Sequence, residues 1–265
     1  MPEGDTVFKL AAFLQPALQG RRLIAGRVRD DHTIDLAGRR VDDVYAHGKH
    51  LFILFDDDSL LRSHLGMWGS WHHYAPGERW QRPASQASVV FDVGERVYVC
   101  FNARQMELLR RDGVRARKLG IVLGPDLMAA DVDGDVIVGR AREIVDPKAP
   151  VSDVLLDQRI ACGIGNVYKS EVLFLERHHP ATPLQALDDT QLAALYRRAS
   201  TLLNGNRRSG PRIIRRAGDD AGALWVYRRT GRPCLQCDAP IESAALGRDR
   251  RSTYWCPQCQ PDKGA

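Results

Sequence analysis

The chain has 265 residues, 44% of them hydrophobic and 27% charged, which is enough apolar material for a core and enough length for two domains. That composition excludes a disordered chain, and no apolar run approaches the length of a bilayer span, which excludes a helical membrane protein. The net charge of +5 is unevenly placed: residues 204–265 hold twelve Lys or Arg against six Asp or Glu, a net +6 that leaves −1 for residues 1–203. A localised basic surface suits a polyanion, because each phosphate neutralised releases a condensed counterion. A solvated arginine-rich face fits the charge equally well.

The chain opens MPEGDT. These residues lack the basic, apolar and small-residue order of a secretion signal, which predicts a cytosolic protein. If Met1 is trimmed, as a small second residue allows, Pro2 becomes a free secondary amine with the carboxylate of Glu3 beside it. Residues 5–19 read as a helix, with Asp5 as N-cap and Val7, Leu10, Ala11 and Leu14 at helical spacing; Pro16 and Gly20 end or kink it. From Leu23 to about Ile121 the pattern is mostly strands (LIAGRV, TIDLAG, VDDVYA, LFILFD, SLLRSH, SVVFDV, RVYVCF), and this predicts a β-rich domain arranged as a sandwich.

The texture changes after LGPDLM, residues 123–128, and the stretch to Pro150 reads as linker plus a short element. Ser152 is placed to cap a helix containing Val154, Leu155 and Ile160. A second helix starts near Asn166 and buries Tyr168, Val172 and Leu175; a third, Asp188 to Leu203, carries Leu192, Leu195, Tyr196 and Leu203. In the joint Gly163-Ile164-Gly165-Asn166, two glycines permit positive φ while Asn caps a helix whose N-terminus suits phosphate. A plain tight connection between helices explains the same residues.

Cys100 and Cys162 are isolated and read as small buried apolar residues. Cys234 and Cys237 form one CxxC pair, Cys256 and Cys259 a second, with eighteen residues between them. That is the spacing of a four-cysteine zinc site, in which two turns close a tetrahedron of thiolates. Redox pairs or disulfides are the rivals, but a redox motif needs one pair only and a cytosolic chain disfavours stable bridges. With all four positions filled by protein, the metal holds structure and does no chemistry. Between the pairs, Gly247 with Arg248, Arg250 and Arg251, followed by Tyr254 and Trp255, predicts a β-hairpin with a cationic tip. So short a ribbon depends on the metal for most of its folding free energy.

Five motifs now stand in order along the chain: PEG at 2–4, HGKHLF at 47–52, LLDQ at 155–158, GIGNVYKSEVLF at 163–174 and RSTYWCPQCQ at 251–260. Together they resemble the formamidopyrimidine-DNA glycosylase and endonuclease VIII family of base-excision repair enzymes. The resemblance implies an α+β chain: a catalytic N-terminal β-sandwich with flanking helices at 1–126, a helix-two-turns-helix DNA-binding domain at 127–228, and a zinc ribbon at 229–265. It implies one structural Zn²⁺, a monomer located with the nucleoid in the cytoplasm, and double-stranded DNA with oxidised or abasic nucleotides as the partner. In place of the DPRRFG-type loop of the purine branch the chain has CFNARQMELL at 100–109, closer to endonuclease VIII, which favours oxidised pyrimidines. HLGMWG at 64–69 keeps a Met reminiscent of the purine branch, so an oxidised-purine glycosylase is the alternative, as is a catalytically silent DNA-binding member.

By that resemblance the activity is a glycosylase with strand-cleaving lyase action, and its residues take roles. Pro2 is the nucleophile toward C1′ and Glu3, covalently next to it, the general acid and base; an exposed terminal carboxylate is the plainer reading of Glu3. Lys49 contacts the lesion's phosphate and assists catalysis, while Asn166 and Arg251 grip the phosphates beside the flipped nucleotide. Met67 and Trp68, between Gly66 and Gly69, suit a wedge that fills the gap left by the extruded base, or else belong to the core. The segment Arg207 to Arg232 supplies backbone grip, and Arg232 in GRPC stands where relatives carry an acidic residue.

Overall fold

The computed structural model of the chain describes residues 2–29, 33–216 and 218–262. It divides into two compact units, Met1–Val122 and Leu123–Ala265.

The first unit opens with α1 (Gly4–Leu18), which starts one residue earlier than its sequence predicts. Glu3, not Asp5, is the N-cap: its carbonyl accepts the Thr6 and Val7 amides at 3.0 and 3.1 Å. Asp5 lies inside the first turn, buried, 3.9 Å from Lys9 Nζ. Val7, Ala11, Leu14 and Leu18 form the buried stripe at spacings of three and four, and each buried Leu contributes roughly 1.5–3 kcal/mol.

Strands follow: β1 (Ala25–Arg29), β2 (Thr33–Asp35), β3 (Val41–His47), β4 (His50–Phe55), β5 (Ser59–His64), β6 (Ser70–Tyr74), β7 (Ala87–Asp92), β8 (Val97–Phe101) and β9 (Gln105–Arg110). Among the described residues they form two antiparallel sheets, β2-β1-β7-β8-β6 and β3-β4-β5-β9. Val28, Val89 and Phe91 of one sheet share a core with Val44, Ile53 and Leu61 of the other and with the α1 stripe, and Phe55 meets Phe91 edge-on at 6.1 Å. This is the expected sandwich. Strands β6 (SWHHY) and β9 (QMELLR) lack an apolar alternation, and pairing with β8 and β5 orders them instead. Residues Val114–Val122 form a helix, α2, where strands were expected to continue; Ala116 and Leu119 seat it on Phe52, Leu60 and Leu109.

In the second unit, the stretch expected to be mostly linker contains an eleven-residue helix, α3 (Gly134–Ile144), capped by Asp133, whose side chain accepts the Asp135 and Val136 amides. Helix α4 (Val151–Leu156) is led in by Pro150; Ser152 is buried inside it and Ile160 lies beyond it. Helix α5 (Asn166–Leu175) is buried from Asn166 to Phe174 because α4, α6 (Asp189–Gly205) and the ribbon strand β11 (Arg251–Trp255) all pack on it. A capping box of Asp188 and Gln191 starts α6. Strand β10 (Glu242–Leu246) pairs with β11 to complete the expected hairpin. No helix among the described residues is long and apolar enough to cross a membrane.

Candidate active site

The first unit carries Pro2, Glu3, Lys49, Met67 and Trp68; the second carries Asn166, Arg251 and the four cysteines. Pro2 is half-buried and immediately precedes the N-cap of α1. Glu3 is fully buried, so it is not an exposed terminal carboxylate. At this point the first amides of a fifteen-residue helix lack intrahelical acceptors and the helix dipole is positive, which favours an anionic side chain. The expected removal of Met1 concerns a residue outside the described ones.

Lys49 sits in the two-residue turn of the β3–β4 hairpin, between the paired His47 and His50. Gly48 takes φ 55°, the positive value that such a tight turn demands at its first position. Pairing of β4 with β5 sets His50 against His64, with ring centroids 5.0 Å apart. Burial, reinforced by the charges of Arg62 and Lys49, lowers His50 to about 3; burial with Lys49 and Arg104 lowers His64 to about 4. Their hydrogen bonds agree: His50 Nδ1 accepts from Arg62 Nε at 3.3 Å, and His64 Nδ1 accepts from the Gly66 amide at 3.2 Å. The Lys49 turn therefore stands beside neutral imidazoles and fixed cations, an environment suited to a phosphate. Met67 and Trp68, on the loop from β5 to β6, are 60% and 74% exposed and do not belong to the core.

In the second unit, the loop before α5 is braced by Gln158 of the LLDQ motif. Its Nε2 donates to the carbonyls of Leu156 at 2.8 Å and Ile164 at 3.1 Å, and its Oε1 accepts the Gly163 amide at 3.1 Å. Asn166, first residue of α5, is buried, and its Nδ2 donates to the Ser252 carbonyl on β11 at 2.6 Å. The structure thus brings Asn166 to the strand that begins with Arg251. The hairpin tip is held from the other side: Asp153 of α4 accepts the Arg248 amide at 2.8 Å, and any side chain at Gly247 would collide with the same carboxylate.

Two anchors went unread in the sequence. The fully buried carboxylate of Glu171 accepts the amides of Trp225, Val226 and Tyr227 at 2.8, 3.0 and 2.9 Å, fixing the approach to the ribbon. Burial raises its carboxyl, and those three bonds oppose the rise. Gln260 is the other: its Oε1 accepts the Cys256 amide at 3.0 Å and its Nε2 donates to the His178 carbonyl at 2.8 Å.

The sulfurs of Cys234, Cys237, Cys256 and Cys259 all lie within 4.8 Å of one another. Contacts between the pairs are 3.4 Å for Cys237 with Cys256, 3.5 Å for Cys237 with Cys259 and 3.9 Å for Cys234 with Cys259. These are close to the edges of a tetrahedron with metal–sulfur bonds of about 2.3 Å, and far too long for disulfides. Amides of Gln236 and Cys259 point at the sulfurs of Cys234 and Cys256, both at 3.4 Å, which suits thiolate ligands. The donor set fits a structural zinc ion.

The arginine-rich segment divides by role. Arg215 and Arg229 are buried, Arg215 ion-paired with Asp219 and Arg229 donating to the carbonyls of Ala221 and Pro233. These two hold the segment's shape, whereas Arg208, Arg228 and Arg232 are exposed.

Residues 1–107 match the family model of the formamidopyrimidine-DNA glycosylase N-terminal domain, and residues 123–215 that of the formamidopyrimidine-DNA glycosylase H2TH domain. A relative from Streptomyces coelicolor named probable endonuclease 8 2 is 41% identical, over 98% of this chain and 94% of its own. A DNA-(apurinic or apyrimidinic site) lyase, Nei2, from Mycolicibacterium smegmatis is 36% identical over 98% and 99%. The crystal structure of Lactococcus lactis formamidopyrimidine DNA glycosylase, non-covalently bound to DNA containing an AP site, has the same fold: TM-score 0.81 at 22% identity, covering 98% of this chain and 100% of that one.

Proposed function

The chain belongs to the formamidopyrimidine-DNA glycosylase and endonuclease VIII family, and on that premise we propose that it excises oxidised bases from DNA through Pro2 and then cleaves the strand. The observation that carries the reading is the Pro2-Glu3 pair: a half-buried proline at position 2 followed by a fully buried carboxylate at the mouth of α1. DNA binding alone gives no reason for either.

The chemistry follows from the residue types. A terminal amine ordinarily titrates near about 8 against roughly 10.4 for Lys, so Pro2, once Met1 is gone, offers a neutral nitrogen without the burial a Lys would need. Its lone pair attacks C1′, and the C1′–N bond to the damaged base breaks, the base leaving with the electron pair and then a proton. The amine's proton passes to the Glu3 carboxylate, which hands it to the sugar ring oxygen as the C1′–O4′ bond breaks and the nitrogen lone pair forms the C=N bond. A secondary amine yields only a cationic iminium, which acidifies C2′; loss of that proton expels the 3′ phosphate. Lys49, Asn166 and Arg251 grip the phosphates around the lesion, and Met67 and Trp68 fill the stack it vacates. The cysteines hold one Zn²⁺, which keeps the ribbon and Arg251 in place and takes no part in the reaction.

The endonuclease 8 name of the Streptomyces coelicolor relative agrees with the branch that CFNARQMELL resembles, and this supports oxidised pyrimidines as the preferred lesions. The test compares cleavage of duplexes carrying thymine glycol and 8-oxoguanine. Faster cleavage of thymine glycol is expected; a preference for 8-oxoguanine would move the enzyme to the purine branch, and no cleavage of either would leave a binding protein.

A further inference from the structure

Lys169 lies three residues into α5 and is fully buried, an unusual place for an ammonium group, whose removal from water costs several kcal/mol unless hydrogen bonds replace it. Its Nζ is 2.7 Å from Asn166 Oδ1 and 2.7 Å from Thr253 Oγ1. An ammonium donates only, so the amide oxygen of Asn166 must face it. The planar amide then directs Nδ2 to the other side, where it meets the Ser252 carbonyl and presents its remaining N–H in one fixed direction. Thr253 behaves likewise: its oxygen accepts from Lys169, so its single hydroxyl proton goes to the Arg251 carbonyl at 3.0 Å. One buried amine therefore sets both an α5 residue and the start of a ribbon strand 84 residues away.

We propose that Lys169 is a positioning residue of the phosphate grip, orienting the Asn166 amide and locking β11, through Thr253, in the place that aims Arg251. The inference rests on the reading of Asn166 and Arg251 as phosphate contacts. A methionine would pack in the same space without the desolvation cost, so the amine's presence points to the hydrogen bonds it donates, those to Asn166 and Thr253 among them.

The test measures affinity of the zinc-loaded protein for a duplex with an uncleavable tetrahydrofuran abasic site, for wild type, Asn166→Ala, Lys169→Met, their double variant and Thr253→Val. Because hydrogen bonds to a charged group are strong, Lys169→Met is expected to weaken binding about tenfold or more, with zinc content unchanged. The double variant should lose less than the product of the single losses, since both act on one amide. Should Lys169→Met fail to fold, Thr253→Val keeps the amine and the shape, and is expected to weaken binding severalfold. Wild-type affinity in Lys169→Met or in Thr253→Val, or single losses that multiply in full, would overturn the inference. Wild-type affinity in Asn166→Ala would instead overturn the phosphate reading beneath it.

Discussion

His50 and His64 are neutral because burial strips water from their rings and the cations around the Lys49 turn add to the penalty on protonation. Held at about 3 and about 4 against an ordinary value of about 6.5, they bind fewer protons folded than unfolded in that window. The stability that depends on these two rings is therefore full above pH 6.5 and falls as pH drops toward 4. Melting temperature across this range should show the loss, and His64→Gln should flatten it; an equally steep loss in the variant would assign it elsewhere. Glu3→Gln removes the acid while keeping the shape, so single-turnover base release should slow by about 100-fold or more, the usual range for a general acid, with little change in affinity. Pro2, Glu3 and the cysteines stand out as candidates in the sequence because position or spacing alone marks them. Lys169 and Glu171 do not: the ribbon partner of Lys169 lies 84 residues away and the first amide partner of Glu171 54, and within α5 both pass for ordinary solvated charges.

At the scale of elements, the loop carrying Met67 and Trp68 and the ribbon are the parts open to test. Filling a vacated stack matters most when an intact base must be drawn out, so Trp68→Ala with Met67→Ala should slow lesion excision about tenfold while sparing cleavage of a preformed abasic site. Equal losses on both substrates would remove the wedge role. Cys256→Ser should abolish zinc retention and expose the hairpin to protease, because the ribbon cluster around Cys234, Cys256 and Ile241 is small. Retained zinc would contradict the metal assignment. Helices with an apolar stripe or a capping box, such as α1 and α6, are readable to within a residue or two. Helix α3 escapes because Gly134 and Gly139 and its many charges mask the stripe of Ile137, Val138 and Ala141. Strands β6 and β9 escape because their order comes from neighbours rather than from their own pattern.

At the scale of the whole molecule, the sequence changes texture after residues 123–128, and the chain divides into the units Met1–Val122, built of strands with α1 and α2, and Leu123–Ala265, built of helices and the ribbon hairpin. Net charge alone said only that the C-terminal part is basic; burial then separates the arginines that shape the segment, Arg215 and Arg229, from those left at the surface. The claim on which the rest depends is that the nucleophile is the chain's own terminal amine. Borohydride reduction during reaction with an abasic duplex, followed by peptide mass mapping of the trapped protein, tests it most directly. The expected result is a single adduct on a peptide beginning at Pro2, absent from Pro2→Thr. An adduct on Lys49, or efficient trapping by protein that retains Met1, would contradict it.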